Sequence, residues 1–154
     1  MSAGAQLVRW MGVMDANTAG FVHGGTVLRL IDEAAGLAAM RHARSRVVTG
    51  GLDRTTFVEP VRVGEVLTLT ASVNAAWRTS MEVGVRVESE DPQTGARRHT
   101  NTAYLTMVAV DDAGRPVRVP PHECATETER RREREAQVRR RNRLAERDEL
   151  LASR

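Results

Sequence analysis

The longest apolar stretch of the chain extends from Ala19 to Met40 and contains one pair of adjacent acids, Asp32 and Glu33. Turn-forming residues and Gly24-Gly25 precede its helical periodicity. Its middle consists mostly of Ala, Gly and Leu, so the backbone can approach a neighbouring surface closely. The pattern predicts a long helix ending near Ala43 in the centre of the fold, because apolar side chains occupy nearly all of its faces.

Strands are predicted on both sides of this helix: β-branched residues indicate the first strand after it, and apolar and polar residues alternate with a period of two in the last three. The predicted strands cover residues 6–14, 47–57, 67–73, 81–88 and 99–110. Such alternation gives an antiparallel sheet one dry face. The order of one strand, one long buried helix and four strands predicts an α+β hotdog fold, in which an antiparallel β-sheet wraps around a long central helix.

The last part of the chain differs in character from the rest. More than half of residues 127–154 are Arg or Glu, with scattered Ala, Val and Leu and with neither Gly nor Pro. Many Glu–Arg pairs stand four positions apart, which favours a helix. We expect a solvated, charged helix or a partly disordered arm. The predicted organisation is a domain over residues 1–121 and an Arg/Glu-rich C-terminal helical or partly disordered tail over 122–154.

Composition narrows the class of protein. The 154 residues carry a net charge of +3, and every basic side chain other than His is Arg. So small a charge predicts no nucleic-acid partner. Cys124 is the single cysteine, so an internal disulfide is impossible and a reducing cytoplasm is expected. The N-terminal residues lack a signal-peptide pattern, and Arg29, Asp32 and Glu33 argue against a membrane span in the apolar stretch. We therefore expect a cytoplasmic protein without a membrane partner.

Several short motifs resemble, in order, those of the hotdog acyl-CoA thioesterases, in the branch of the brain cytosolic acyl-CoA hydrolase and its short bacterial relatives. The motifs are Gly20-Phe-Val-His-Gly-Gly-Thr26, Leu30-Ile-Asp-Glu-Ala34, Arg46-Val-Val-Thr49, Phe57-Val-Glu-Pro-Val61, Val63-Gly-Glu65 and Arg78-Thr-Ser-Met81. The resemblance implies hydrolysis of acyl-CoA to fatty acid and CoA, with no cofactor, because CoA is part of the substrate. It also implies pockets between the protomers of a homodimer, assembled further into a trimer of dimers.

The resemblance also implies roles for individual residues. Asp32 matches the catalytic carboxylate on the central helix, as a general base on water or as a nucleophile. His23, Gly24 and Gly25 match the loop whose backbone N–H groups face the thioester carbonyl, with Gly25 and His23 placed among the catalytic residues. Thr79 and Ser80 match a pair that lines the site.

Phe21 departs from the pattern, because many relatives have Asn there, and we give it a pocket-lining role. CoA carries phosphates, which arginine side chains bind well. The candidates for that contact are Arg54, Arg78, Arg97 and Arg98.

Simpler explanations exist for most of these residues. Asp32 could pair with Arg29 one helical turn away, and Glu33 is expected to make a structural hydrogen bond. His23 could merely cap the helix, and Thr79 and Ser80 could be hairpin residues.

Other functions are also open. The protein could be a non-catalytic acyl-CoA sensor or nucleic-acid-binding protein with an Arg-rich arm, or a hotdog dehydratase. In the tail from Glu123 onward, ten Arg face eight acids, which predicts weak phosphate affinity. His42, His99 and His122 lack metal-ligand spacing, so no metal is expected.

Overall fold

The computed structural model describes residues 4–154, so the first three residues of the predicted domain lie outside it. Its elements, in chain order, are β1 (Gly4–Trp10), a 3₁₀ turn (Val13–Asp15), α1 (Gly24–Ala43), β2 (Arg46–Leu52), β3 (Val66–Ala76), β4 (Ser80–Glu90), β5 (Arg97–Val110) and α2 (Glu127–Ala152). The five strands form one antiparallel sheet in the order β1-β3-β4-β5-β2. This is the predicted hotdog arrangement, with α1 against one face of the sheet and a charged helix at the C-terminus.

The core lies between α1 and the concave face of the sheet. Alternate residues of β4, from Met81 to Val87, point towards α1 and have no exposed surface. They pack with the small side chains of the helix, among which Ala34, Ala35, Ala38 and Ala39 are fully buried. Small residues on α1 allow close packing, so a core with few aromatic rings can still reach native density.

The helix α1 is not buried on all sides within a single chain. Its buried face includes Val27, Leu30 and Ile31, whereas Asp32 and Met40 are exposed. The expectation of complete burial is therefore wrong for one protomer, because the sheet covers only one side of the helix. The uncovered side carries the acid pair and apolar residues together.

Two predicted strands are shorter than expected. β1 ends at Trp10, and the chain then turns so that the Met11 N–H donates to the Glu65 carbonyl at 2.9 Å. β2 ends at Leu52, and residues 53–61 leave the sheet as a loop. Periodicity did not predict these ends, because both segments stay extended or apolar after sheet pairing stops.

The C-terminal residues form the predicted charged helix, mostly exposed to solvent, and one side of it docks on the second face of the sheet. Ala136 of α2 is fully buried, and Glu82 of β4 is buried beneath the helix. Arg139 binds both carboxylate oxygens of Glu82 and lies 3.7 Å from the centre of the Tyr104 ring. A buried carboxylate requires such a partner, which explains how a helix without an apolar seam docks. Neither α1 nor α2, within residues 4–154, is long and apolar enough to cross a membrane.

Candidate active site

Asp32 projects from the uncovered side of α1 and is held by a residue of the neighbouring strand. The Thr49 hydroxyl of β2 donates a hydrogen bond to Asp32 Oδ1. Both residues are exposed in the single chain. The hydroxyl orients the carboxylate and leaves Oδ2 free to accept another hydrogen bond, for example from a water molecule. The arrangement provides an oriented base on an accessible surface.

The two charged residues near Asp32 on α1, Arg29 and Glu33, pair with each other and not with Asp32. Arg29 Nε lies 3.1 Å from Glu33 Oε1, one helical turn away. The simpler explanation of Asp32, an ion pair with Arg29, is therefore wrong. Glu33 makes the structural contact that the sequence predicts for it.

The N-terminus of α1 is capped by the side chain of His23. His23 Nδ1 accepts a hydrogen bond from the Gly25 N–H at 3.0 Å, and the His23 carbonyl accepts from the Thr26 N–H at 2.9 Å. The Gly24 N–H has no acceptor among residues 4–154. Of the two glycine donors, Gly24 therefore has the free N–H, while the Gly25 N–H is available only when the His23 ring moves away.

Aromatic and turn residues surround this helix end. A Cβ added at Gly24 would lie 3.6 Å from the ring of Phe57, so that ring lies against Gly24 in the first turn of α1. Phe21 is 38% exposed, and its N–H donates to Asn17 Oδ1 at 3.2 Å. The same oxygen accepts from the Ala19 N–H at 3.0 Å. Asn17 thus fixes the turn that leads into the helix.

Asp32 and Gly24 of one chain are too far apart to act on one thioester. Eight residues separate them along α1, which corresponds to roughly 12 Å of helix axis at the α-helical rise. A reacting carbonyl group must lie about 3 Å from both its oxyanion donor and the attacking nucleophile, and a base that activates water lies only one hydrogen bond, about 3 Å, further away. A site that uses both groups therefore needs Asp32 from one protomer and the helix N-terminus from another.

Three of the four arginines proposed for CoA phosphates are already paired. Arg98 binds both oxygens of the buried Glu65, at 2.6 and 2.9 Å. Arg97 pairs with Glu90 at 3.1 Å, and Arg54 pairs with Glu146 of α2. Arg98 is shielded and bidentate, so it has a structural role in this chain.

Arg78, Thr79 and Ser80 lie at the opposite end of the sheet from Arg98. Ser80 pairs with Val108 of β5, whereas Arg98 lies ten positions earlier on that strand, roughly 33 Å away. Thr79 and Ser80 accept backbone hydrogen bonds at the β3–β4 turn. Arg78 is exposed and has no ionic partner within residues 4–154. A single chain does not bring these three residues together with the N-terminus of α1.

Sequence reasoning gave no role to two residues that the structure places in or beside the site. Thr49 belonged to a quoted motif, and its contact with Asp32 depends on how β2 lies beside α1. Asn17 was interpreted only as part of a turn, although an Asn that accepts two backbone N–H groups ahead of a helix suggests a fixed loop.

Comparison with known proteins assigns this chain to a family. Residues 19–96 match the model of the thioesterase superfamily. The VdlD protein of Helicobacter pylori is 44% identical over 117 residues, covering 76% of this chain and 67% of that protein. The cytosolic acyl coenzyme A thioester hydrolase of Rattus norvegicus is 34% identical over 131 residues, covering 83% of this chain but only 34% of that hydrolase.

Solved structures give a similar result over nearly the whole chain. An apo-hexameric acyl-CoA thioesterase superposes with a TM-score of 0.90 at 43% identity, covering 94% of this chain and 93% of that one. An acyl-CoA hydrolase of Staphylococcus aureus, solved with butyryl-CoA, CoA and CoA disulfide, has a TM-score of 0.89 at 32% identity, covering 99% and 93%. Variants of that hydrolase with an aspartate, an asparagine or a threonine replaced by alanine have also been solved. The chain thus belongs to the thioesterase superfamily and shares its hotdog fold.

Proposed function

We propose that this protein hydrolyses acyl-CoA thioesters, with Asp32 as the residue that acts on the reacting carbonyl group or on the attacking water. The observation that carries the proposal is the pair of Asp32 and Thr49, an oriented and accessible carboxylate on the central helix. The relatives named as acyl-CoA hydrolases, one solved with CoA, support the substrate class.

The variants of the Staphylococcus aureus hydrolase support the choice of residues. The intervals between its replaced asparagine, aspartate and threonine equal those between Asn17, Asp32 and Thr49 in this chain. In this protein Thr49 contacts Asp32 directly, and Asn17 fixes the turn ahead of α1. We therefore add Asn17 and Thr49 to the proposed site.

In the proposed reaction, the thioester carbonyl oxygen accepts a hydrogen bond from the free Gly24 N–H at the positive end of the α1 dipole. Asp32 removes a proton from a water molecule as its oxygen attacks the carbonyl carbon. The tetrahedral intermediate then collapses. The C–S bond breaks, the carboxylic acid forms, and the CoA thiolate takes up a proton.

A direct attack by Asp32 would instead release CoA first and leave a mixed anhydride for water to cleave. A single turnover in ¹⁸O-labelled water identifies the anhydride route when water cleaves at the Asp32 carbonyl. Activated water, or cleavage of the anhydride at the acyl carbonyl, places the label in the fatty acid at once. Cleavage of the anhydride at the Asp32 carbonyl places the label in the enzyme, and the first fatty acid then carries an unlabelled oxygen from Asp32.

We propose that the active protein is a homo-oligomer with its sites between protomers. The distance along α1 between Asp32 and Gly24 supports this, because neither residue can complete the site within its own chain. β2 is also an edge strand, and its Val48 and Leu52 are 50% and 43% exposed. An open edge with apolar side chains favours pairing with another chain. The hexameric relatives support a trimer of dimers.

For the CoA phosphates, we propose Arg78 as the first candidate, because its guanidinium is exposed and unpaired within residues 4–154. Thr79 and Ser80 would accompany it from a second protomer. We also propose a cytoplasmic location, as the name of the mammalian cytosolic relatives suggests.

The experiment that tests the proposed function is thiol release from acyl-CoA substrates of short, medium and long chain, followed with a thiol-reactive dye. Turnover that is first order in enzyme supports the hydrolase. Saturable binding of acyl-CoA without thiol release from any substrate contradicts it and favours the sensor. The docking of α2 argues against the sensor with a free Arg-rich arm, because Arg139 and Arg143 are bound to carboxylates of the sheet face and of the segment after β2.

A further inference from the structure

The C-terminal helix is joined by two ion pairs to the segment that follows β2. Arg143 Nη1 lies 3.0 Å from Asp53 Oδ2, and Glu146 pairs with Arg54. The side chains of Arg143 and Asp53 are 31% and 18% exposed, so water and salt screen their interaction only in part. The Arg54 pair is largely exposed and is the weaker of the two.

Arg143 also belongs to the contact that fixes α2 on the sheet. Glu82 of β4 is fully buried and binds Arg139 at 2.6 Å and the Asn74 amide at 3.0 Å. Arg143 Nη1 lies 3.8 Å from the other oxygen of Glu82. One guanidinium therefore lies between a fixed carboxylate of the sheet and Asp53. The side chain that binds Asp53 is therefore also positioned by a buried residue of the sheet.

The segment held by this contact carries two features of the proposed site. Upstream of Asp53, Thr49 donates to Asp32. Downstream, the Phe57 ring lies against Gly24 in the first turn of α1. Asp53 stands midway between the two, four positions from each of Thr49 and Phe57.

The pairing of this segment with β5 is irregular. The register shifts between Thr49 and Gly51. Two consecutive glycines stand at that irregularity, where the backbone has the most conformational freedom. Beyond Leu52 the regular ladder stops and the contacts with β5 become sparse. They are the Asp53 N–H to the Tyr104 carbonyl at 3.0 Å, the Thr55 hydroxyl to Asn101 at 2.9 Å and the Val58 N–H to the Thr100 carbonyl at 3.0 Å.

We propose that Arg143 and Asp53 are positioning residues for thioester hydrolysis. Through them α2 fixes residues 49–57, which keeps the Thr49 hydroxyl on Asp32 and the Phe57 ring against Gly24. The Arg/Glu-rich tail is therefore part of the active-site support. This inference rests on the proposed function.

The test compares Arg143→Ala, Arg143→Lys and Arg147→Ala in the full chain. Arg147 is the matched control, because it pairs with Asp148 on the same helix and both side chains are mostly exposed. We expect Arg143→Ala to lower kcat about tenfold while KM stays within about twofold, since misplaced groups cost rate rather than ground-state binding. Arg143→Lys keeps the charge and should recover most of kcat. Arg147→Ala should match wild type.

Amide hydrogen exchange of residues 49–57 gives a second readout that does not need turnover. We expect faster exchange of residues 49–57 in Arg143→Ala. In Arg147→Ala this segment should exchange as in wild type. The strands β3 and β4 should exchange as in wild type in all variants. Wild-type kcat and unchanged exchange in Arg143→Ala overturn the proposal, as does an equal effect of Arg147→Ala. If wild type releases no thiol, the proposed function fails and exchange alone decides whether α2 holds this segment.

Discussion

Removing Arg139 should destabilise the protein strongly, because it leaves a buried carboxylate without its main partner. The Glu82 side chain has no exposed surface, and Arg139 binds it through Nη2 at 2.6 Å and Nε at 3.1 Å. Burial alone would lower the pKa of the Arg139 guanidinium, but the hydrogen bonds and charge of Glu82 raise it above its usual value. The Arg139 side chain therefore keeps its positive charge beside Glu82.

The expected size of the effect follows from the remaining contacts. Breaking a buried ion pair by removing one partner typically costs about 3–5 kcal/mol. Arg139→Ala also loses the cation–π contact with Tyr104, about 0.5–1 kcal/mol at a partly exposed site. Against this, Asn74 still donates to Glu82, Arg143 stays 3.8 Å away, and water can enter the space that the side chain leaves. We expect a loss of about 3 kcal/mol.

The assay is equilibrium unfolding in urea at one fixed protein concentration, because oligomers gain stability with concentration. Trp77 is a suitable fluorescence reporter, since its indole N–H contacts Gln137 of α2 at 3.2 Å. The double variant Glu82→Gln/Arg139→Ala removes the orphaned charge and should recover more than half of the loss. Arg147→Ala should change little. A loss below about 1 kcal/mol in Arg139→Ala, or no recovery in the double variant, refutes the reasoning.

Three further predictions concern single positions. Thr49→Val removes the hydroxyl that orients the proposed catalytic carboxylate and should lower kcat about tenfold. Thr49→Ser keeps the hydroxyl and should keep the activity. Equal kcat values for the two variants would contradict this prediction. Gly84→Ala would place a Cβ 2.8 Å from Asn74 Nδ2 and should cost about 1 kcal/mol in urea unfolding, and an unchanged midpoint would argue against it. Burial and the neighbouring His42 lower the pKa of His122 in the folded protein. Between that lowered pKa and pH 6.5, His122 therefore binds more protons in the unfolded chain than in the folded protein. Stability should therefore fall as pH drops from 6.5 towards the lowered pKa, and more in wild type than in His122→Asn; parallel pH profiles would exclude this role.

The central helix and the sheet could be predicted from sequence because their signals are local. The alternation in β4, with Met81 and Val83 inward, assigns the face of each residue without knowledge of its partners. The same alternation placed Glu82 on a solvated face and so concealed its burial. Its partner Arg139 lies 57 positions away in a helix with no apolar seam, and no local pattern connects the two. The docking of α2 on the sheet could therefore not be predicted from the sequence.

The candidate site was predictable only in part. Asp32 and the glycines at the start of α1 were chosen by resemblance, and the structure adds which groups they contact. That Thr49 holds Asp32 depends on the lateral position of an edge strand, which periodicity does not specify. That His23 occupies the Gly25 N–H depends on a side-chain rotamer. Contacts between protomers cannot be read from one chain's pattern.

The most direct test of the central claim is a comparison of thiol release by wild type, Asp32→Asn and Glu33→Gln on the best acyl-CoA substrate. Both substitutions remove one negative charge from adjacent positions of α1, but Glu33 pairs with Arg29 and Asp32 does not. The account predicts that Asp32→Asn loses at least about 10²-fold in kcat while its fold and oligomeric state stay unchanged, and that Glu33→Gln keeps kcat within about threefold of wild type. Near-wild-type turnover by a folded, oligomeric Asp32→Asn would contradict the account.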